Sequence, residues 1–179
     1  MAVFCSDVSG AFDRVRAKRL LSKLWAKGIR GKFYQLIDSW LHGRSGSVCV
    51  EGMHSQLRAL VNQVFQGTVW GPGLWNCFYE DARGGVNAEG FEETVFADDL
   101  NCFRDFSAGE ENDEILQELL ICQASLHSWG AANQVSFDPT KESFHILHRT
   151  DYFGEDFKIL GCMYDCQLTM ATACRLTAN

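Results

Sequence analysis

The stretch VFADDL, residues 95–100, places two aspartates next to each other directly after an apolar run. Adjacent carboxylates repel each other, so Asp98 and Asp99 need an explanation. They could form the solvated tip of a hairpin, because acidic residues are common in turns. Alternatively, they could supply oxygen ligands to a divalent cation. A motif this short does not decide between the two, so the decision depends on the rest of the chain.

The composition predicts one globular domain with an apolar core, because the chain has 179 residues and 46% hydrophobic content. It contains no apolar run of about 18 residues, so no membrane-spanning helix is expected. The first ten residues, MAVFCSDVSG, lack the features of a secretory signal. They begin as if already inside a strand, which predicts a domain cut out of a longer chain.

The eight cysteines are interpreted as reduced residues. Most lie in apolar or periodic segments, where a thiol behaves as a small hydrophobic group. The missing secretory signal favours a reducing intracellular compartment, of which the nucleus is one example. Two pairs of possible zinc ligands are close in sequence, Cys162 with Cys166 and His145 with His148. Neither pair is accompanied by a CxxC motif, so the sequence does not favour a structural zinc site.

The net charge of −7 is unevenly distributed. Residues 1–50 contain nine basic residues (Lys and Arg) and three acidic ones (Asp and Glu). Residues 51–100 contain two basic and eight acidic residues, and residues 101–179 contain five basic and twelve acidic residues. The basic first segment fits contact with a nucleic-acid backbone, and it fits a solvated helix face equally well. The acidic total predicts that the chain alone binds nucleic acid poorly.

Hydrophobic periodicity predicts a series of alternating elements. They are a strand ending at Asp7, helices over 17–28 and 33–43 with core-facing apolar stripes, a hairpin over 47–65, a helix opened by Pro72, strands at 93–97 and 101–106, a helix from Asn112 to Gly130, and strands at 143–149 and 157–165. This order predicts an α+β fold with a mainly antiparallel sheet and helices packed on one face.

A third carboxylate changes the meaning of the Asp98–Asp99 pair. Asp7 ends the first predicted strand, and the pair lies between two others, so the three carboxylates meet at one sheet edge if these strands are neighbours. Metal ions that clamp the attacking and leaving oxygens in phosphoryl transfer need such converging carboxylates. Magnesium keeps waters and substrate phosphates as further ligands, so two or three aspartates suffice.

Five segments then occur in the order found in one enzyme family. They are DVSGAFDRV (7–15), FQGTVWGPGLWNCFYED (65–81), FADDL (96–100), NQVSFDPTKES (133–143) and FKILG (157–161). Together they resemble the reverse transcriptases, above all the RNA-directed DNA polymerases of non-LTR retrotransposons, over roughly residues 3–168. Each segment is weak evidence alone, but five in order favour the metal-site reading of VFADDL.

The resemblance implies a catalytic centre. It makes Asp7 and Asp98 the principal ligands of two Mg²⁺ or Mn²⁺ ions, with Asp99 as the adjacent acidic partner. It also implies that Lys141 donates a proton to the leaving pyrophosphate, a role that a mobile ammonium suits. The alternative for Lys141 is an ordinary solvated loop lysine.

The resemblance also implies substrate contacts. Phe12 matches the aromatic residue under the incoming sugar, where a 2′-hydroxyl would clash with the ring; its alternative is a core aromatic. Gln66 and Gly67 match the segment against the nascent base pair and template, where glycine permits close backbone approach. Leu160 and Gly161 match the turn that holds the primer end.

The sequence departs from the family at both ends. Only six residues precede Asp7, where the basic fingers belong, and only 18 follow Gly161, where the thumb belongs. We therefore expect residues 1–179 to form a single partial reverse-transcriptase domain, with the palm at 1–150, the palm–thumb junction at 151–179, and fingers and thumb missing or truncated.

Three functions follow as hypotheses. The first is an RNA-directed DNA polymerase palm of a retrotransposon protein, with an RNA template, a DNA primer and deoxynucleoside triphosphates as partners, and with no activity as an isolated chain. The second is a non-catalytic remnant that at most binds nucleic acid or protein. The third is another metal-dependent palm, such as a nucleotide cyclase, which the FQG segment and Lys141 argue against. The oligomeric state stays open.

Overall fold

A computed structural model describes residues 1–171 and 174–175 of the chain. The chain divides into two compact units. Unit 1 comprises Met1–Ser9, Ala82–Ala132 and Ser136–Asn179, and unit 2 comprises Gly10–Asp81 and Asn133–Val135. The palm–thumb junction at 151–179 stays a prediction, and its residues 172, 173 and 176–179 lie outside the described part.

Ten strands and five α-helices are described, numbered here in chain order. The strands are β1 Ala2–Asp7, β2 Ser45–Gly46, β3 Cys49–Val50, β4 Met53–His54, β5 Arg58–Ala59, β6 Glu92–Phe96, β7 Asp99–Arg104, β8 Ser143–Ile146, β9 Phe157–Ile159 and β10 Cys162–Tyr164. The helices are α1 Ala17–Ala26, α2 Gly31–Leu41, α3 Gly71–Tyr79, α4 Arg83–Ala88 and α5 Asn112–Asn133. None of these helices has the length and apolarity to cross a membrane.

Unit 1 is built on a four-stranded antiparallel sheet in the order β6-β7-β1-β8. Strand β1 is central, and all six of its residues are buried. Successive side chains of a strand point to opposite faces of the sheet, and other residues pack on both faces here. On one face Val3 and Cys5 pack with Phe157 and Cys166. On the other, the thiol of Cys102 contacts Cys122 of α5. The predicted α+β fold with an antiparallel sheet is confirmed.

Helix α5 extends beyond its predicted end. Gly130 was expected to terminate it, but the helix continues to Asn133. Gly130 is buried within the helix, a position that costs about 1 kcal/mol relative to alanine and that packing can offset. The helix ends instead where Gln134 adopts a left-handed backbone with φ of 61°.

Unit 2 contains α1, α2 and α3 and two short strand pairs, β2 with β5 and β3 with β4. The prediction of a long returning strand over 57–65 is wrong, since only Arg58–Ala59 pairs there. The apolar residues around these strands, among them Val50, Met53 and Val61, are more than 60% exposed. A strand without a buried face has little to stabilise it.

The apolar stripe of α2 is only partly core-facing. Ile37 and Leu41 are buried, whereas Phe33 and Leu36 are each 54% exposed. At 3.6 residues per turn the predicted stripe covers about 140° of the helix circumference. One side of that arc packs into the unit and the other does not, so the prediction that the whole stripe faces the core is wrong.

Candidate active site

The first carboxylate ends the central strand of unit 1. Asp7 is the last residue of β1, and its register partner on the antiparallel neighbour β7 is Asp99. Side chains directly opposite each other in such a pair project from the same face of the sheet. Asp7 is only 8% exposed, so a buried and a partly buried carboxylate lie side by side at this edge.

The VFADDL stretch forms the turn beside them. Phe96 pairs with Asp99, which leaves Ala97 and Asp98 as a two-residue hairpin turn. Ala97 has a φ of 56°, a left-handed conformation that suits such turns but disfavours alanine. The predicted hairpin is confirmed, with the second strand starting at Asp99 instead of residue 101.

The three carboxylates influence one another electrostatically. Burial raises the pKa of Asp99, and the negative charges of Asp7 and Asp98 and a hydrogen bond with Asp7 raise it further. The ammonium of Lys141 acts in the opposite direction on the same group. Like charges in one small site disfavour the ionised form, and a bound cation relieves that repulsion.

Lys141 reaches this site from the loop between α5 and β8. Its Nζ donates to Oδ2 of Asp7 at 2.6 Å, and this hydrogen bond raises the pKa of Lys141. The loop is fastened to the end of β1, because the Asp138 amide donates to the Asp7 carbonyl at 3.0 Å and the Ser9 amide to the Ser136 carbonyl at 2.9 Å. Lys141 therefore contacts the first carboxylate although 134 residues separate them.

Glu142 holds the same loop from the other face. Its carboxylate accepts from the Ser6 hydroxyl at 3.2 Å and from the Gln123 amide at 2.9 Å, and pairs with Nε2 of His127 at 2.8 Å. Its side chain is only 6% exposed. Sequence reasoning missed Glu142, since no local pattern links it to partners on β1 and α5.

Strands β9 and β10 form a hairpin beside the carboxylates. The single strand predicted over 157–165 is wrong: Ile159 pairs with Cys162 across a turn. Leu160 and Gly161 make this turn with φ values of 48° and 87°, the left-handed pair typical of two-residue hairpins. A cavity of about 340 Å³ lies between this hairpin and the sheet. Its lining comprises Cys5, Ser6, Asp7, Asp99, Asn101, Lys141, Lys158, Ile159 and Leu160.

The remaining predicted residues belong to unit 2. Phe12 lies in a 3₁₀ turn, Ala11–Arg14, and its half-buried ring is 5.9 Å from that of the fully buried Trp75. Gln66 and Gly67 are exposed on a loop, where Gly67 has a φ of 80°. All three residues are part of unit 2, and their substrate roles stay predictions.

Gly71 supports the loop that contains Gln66 and was not singled out from the sequence. A Cβ atom at this position would lie 2.7 Å from the Phe65 carbonyl oxygen and 3.5 Å from the Phe12 ring. Only glycine leaves room for this approach. The GPG pattern at 71–73 was a signal for it.

The donor set at the end of β1 fits a hard divalent cation. Asp7 and Asp99 present carboxylate oxygens side by side, and Asp98 follows in the adjacent turn. Within residues 1–171 and 174–175, no group of three or more His, Cys, Asp or Glu side chains is arranged as a ready-made metal site. Magnesium is commonly held by one or two carboxylates together with substrate phosphates and water, and the pair that lines the cavity matches that requirement.

Unit 1 thus combines an antiparallel sheet with aspartates at the end of its central strand and at the adjoining hairpin. Residues 2–164 match the family model "Reverse transcriptase (RNA-dependent DNA polymerase)". The chain belongs to the reverse transcriptase family. Enzymes of this family use divalent metal ions, a nucleic-acid template and primer, and nucleotide substrates.

Two known proteins illustrate the relationship. The chain is 31% identical over 141 residues to the RNA-directed DNA polymerase from mobile element jockey of Drosophila funebris, an alignment covering 75% of this chain. It spans 15% of the length of that relative. A structure of apo telomerase from Candida tropicalis, truncated from its C-terminal domain, superimposes with a TM-score of 0.64 and 12% identity, covering 94% of this chain and 34% of the other. This second likeness concerns the fold alone.

Proposed function

We propose that this chain forms the palm of an RNA-directed DNA polymerase that adds deoxynucleotides to the 3′ end of a primer. The observation that carries the proposal is the register of Asp7 opposite Asp99, with Lys141 on Asp7 and Asp98 in the adjoining turn. The chain is proposed to be one segment of a longer retrotransposon protein, in keeping with the 15% of the jockey polymerase that it spans.

Asp7, Asp98 and Asp99 are proposed to hold two Mg²⁺ or Mn²⁺ ions. Such ions, when bound, stabilise the negative charge that develops on the phosphoryl oxygens during transfer. The protein's own contribution is to fix the carboxylates in advance. Asp7 is held by β1 and Asp99 by β7, and rigid strands position ligands better than loops do.

The other residues are proposed to act on the substrates. Lys141 gives a proton to the leaving pyrophosphate. Leu160 and Gly161 hold the primer end near the carboxylates, a role that suits a hairpin turn beside the same cavity. Phe12 excludes the ribose 2′-hydroxyl, and Gln66 and Gly67 lie against the template pair; these two roles rest on the family resemblance.

Metal-dependent thermal melting tests the proposal on the 179-residue chain. Mn²⁺ at 100 times its dissociation constant should raise the free energy of unfolding by about 2.7 kcal/mol. Asp98→Asn and Asp99→Asn should lose most of that gain. Asp99→Asn should also raise the metal-free melting temperature, because it removes a carboxylate from a site where like charges repel one another.

Asp105→Asn is the matched control, since it removes one charge from an exposed aspartate just beyond β7. It should keep the full Mn²⁺ gain. Equal Mn²⁺ stabilisation in all four proteins would place the cation elsewhere and contradict the proposed centre. Primer extension on an RNA template by the longer parent protein, with and without Asp98→Asn, then tests catalysis itself.

A further inference from the structure

The ion pair between Lys141 and Asp7 joins a solvent-accessible cation to a nearly buried carboxylate. The Lys141 side chain is 59% exposed and that of Asp7 is 12% exposed. A buried carboxylate needs a positive or hydrogen-bonding partner to remain charged. Lys141 supplies that partner at 2.6 Å.

Backbone contacts present the ammonium at this place. The Ser9 amide donates to the Ser136 carbonyl, and the Asp138 amide donates to the Asp7 carbonyl. The Lys141 amide in turn donates to the Asp138 carbonyl at 3.0 Å. The loop therefore starts and turns at the end of β1. Its position does not depend on the long side chain of Lys141.

Side-chain contacts hold the residue that follows Lys141, which is Glu142. Three groups from β1 and α5 converge on its carboxylate, those of Ser6, Gln123 and His127. The Asp138 carboxylate adds an internal brace by accepting from the amide and hydroxyl of Thr140 at 3.0 and 2.6 Å. Lys141 thus lies between two residues that hydrogen bonds hold in place, Thr140 and Glu142.

The carboxylate that Lys141 neutralises is also a proposed ligand of the catalytic cation. A divalent ion that coordinates Oδ2 of Asp7 would lie close to the ammonium that already binds this oxygen at 2.6 Å. Two positive charges around one carboxylate also repel each other. The two partners therefore compete for Asp7.

We propose that Lys141 occupies Asp7 in the metal-free protein and leaves it when a divalent cation binds, so that the proposed proton donor becomes available only in the loaded site. The inference rests on the proposed function, because it uses the same carboxylate and the same lysine. It adds an antagonism that the proposed roles do not contain: the lysine that assists the reaction weakens cation binding.

Cation affinity provides the first test. Binding of Mn²⁺ to the 179-residue chain is measured from the free Mn²⁺ signal in electron paramagnetic resonance. Lys141→Gln should tighten Mn²⁺ binding roughly fivefold, the size of a partly exposed charge pair. Lys141→Arg keeps the positive charge and should stay within about twofold of the wild type.

Lys158→Gln is the matched control. Lys158 lines the same cavity, so its removal subtracts the same charge from the same surroundings without vacating Asp7. Equal tightening in Lys141→Gln and Lys158→Gln would mean that the lysines act only through their general field, and it would overturn direct competition. Greater tightening in Lys141→Gln supports it.

Release of the lysine provides a second readout that does not depend on activity. An amine-acylating reagent followed by mass spectrometry should label Lys141 faster when Mg²⁺ is added, while labelling of Lys158 stays unchanged. Unchanged labelling of Lys141 under saturating Mg²⁺ would show that the ion pair survives, and it would overturn the inference.

The outcomes separate the two proposals. If Mn²⁺ binds and Asp99→Asn weakens it, while Lys141→Gln has no effect, the competition is wrong and the catalytic centre stands. If neither wild type nor Lys141→Gln binds Mn²⁺ through Asp7 and Asp99, both proposals are wrong.

Discussion

His145 shows how the environment of one residue sets its chemistry. Its side chain is 3% exposed, its ring stacks on Phe157 with centroids 4.1 Å apart, and Nε2 lies 2.8 Å from the Ser143 hydroxyl. Burial lowers its pKa from 6.5 to about 4, so the imidazole is neutral in the folded protein at neutral pH.

This pKa predicts acid sensitivity. Below about pH 6.5 the unfolded chain binds a proton that the folded chain does not bind, so the free energy of unfolding falls by about 3 kcal/mol as the pH drops from 6.5 to 4. Urea unfolding across this range measures the loss. His145→Gln should flatten the pH dependence, whereas His148→Gln, at an exposed position, should leave it unchanged. An equal slope in all three proteins would contradict the assignment.

At the scale of elements, the β6–β7 hairpin contains a strained position. Ala97 has a φ of 56°, and a left-handed conformation costs a non-glycine residue about 1 kcal/mol. Ala97→Gly should therefore raise the free energy of unfolding by up to about 1 kcal/mol, less the entropy that glycine adds to the unfolded chain. Chemical denaturation measures the change.

Ala124→Gly is the opposite control, because Ala124 is exposed within α5. There the same substitution should destabilise by about 1 kcal/mol. Destabilisation by Ala97→Gly would mean that the methyl group of Ala97 makes contacts worth more than the strain. In that case the hairpin would not store energy beside the carboxylates.

At the scale of the whole molecule, charge separates between the units. Unit 2 carries ten Lys and Arg against five Asp and Glu, a net of +5, and unit 1 six against eighteen, a net of −12. Unit 2 has a cavity of about 460 Å³ lined by Arg16, Lys18, Arg19, Ser22, Lys23 and Asn133. Nucleic acid should therefore bind through unit 2, and weakly.

We expect a dissociation constant of about 10⁻⁴ to 10⁻⁶ M for an RNA–DNA hybrid, rising steeply with salt. The isolated chain should show no processive synthesis. Fluorescence anisotropy of a labelled hybrid measures the affinity. Arg19→Glu should weaken binding and flatten the salt dependence, whereas Arg149→Glu, which changes the net charge by the same amount but lies in the acidic unit, should change little. Equal losses would mean that only the net charge matters.

Local patterns were sufficient for several of the elements and for the family. A short apolar run predicts a buried strand ending at Asp7, and the VFADDL stretch predicts a hairpin, because both depend on neighbouring residues. The same holds for the opening of α3 near Pro72. Five short motifs in order indicated a reverse transcriptase, which the family match confirms.

The sequence by itself determined the buried strand that ends at Asp7, the hairpin at VFADDL and the residue types available for chemistry, since these follow from local spacing. Only the tertiary structure decided that Asp7 faces Asp99, that Lys141 occupies Asp7, and that Glu142 gathers three partners. It likewise decided which side of the α2 stripe is buried. Such contacts depend on strand register and on packing between residues up to 136 positions apart. Local spacing allows many strand pairings equally, and the burial of apolar side chains on folding decides which pairing forms.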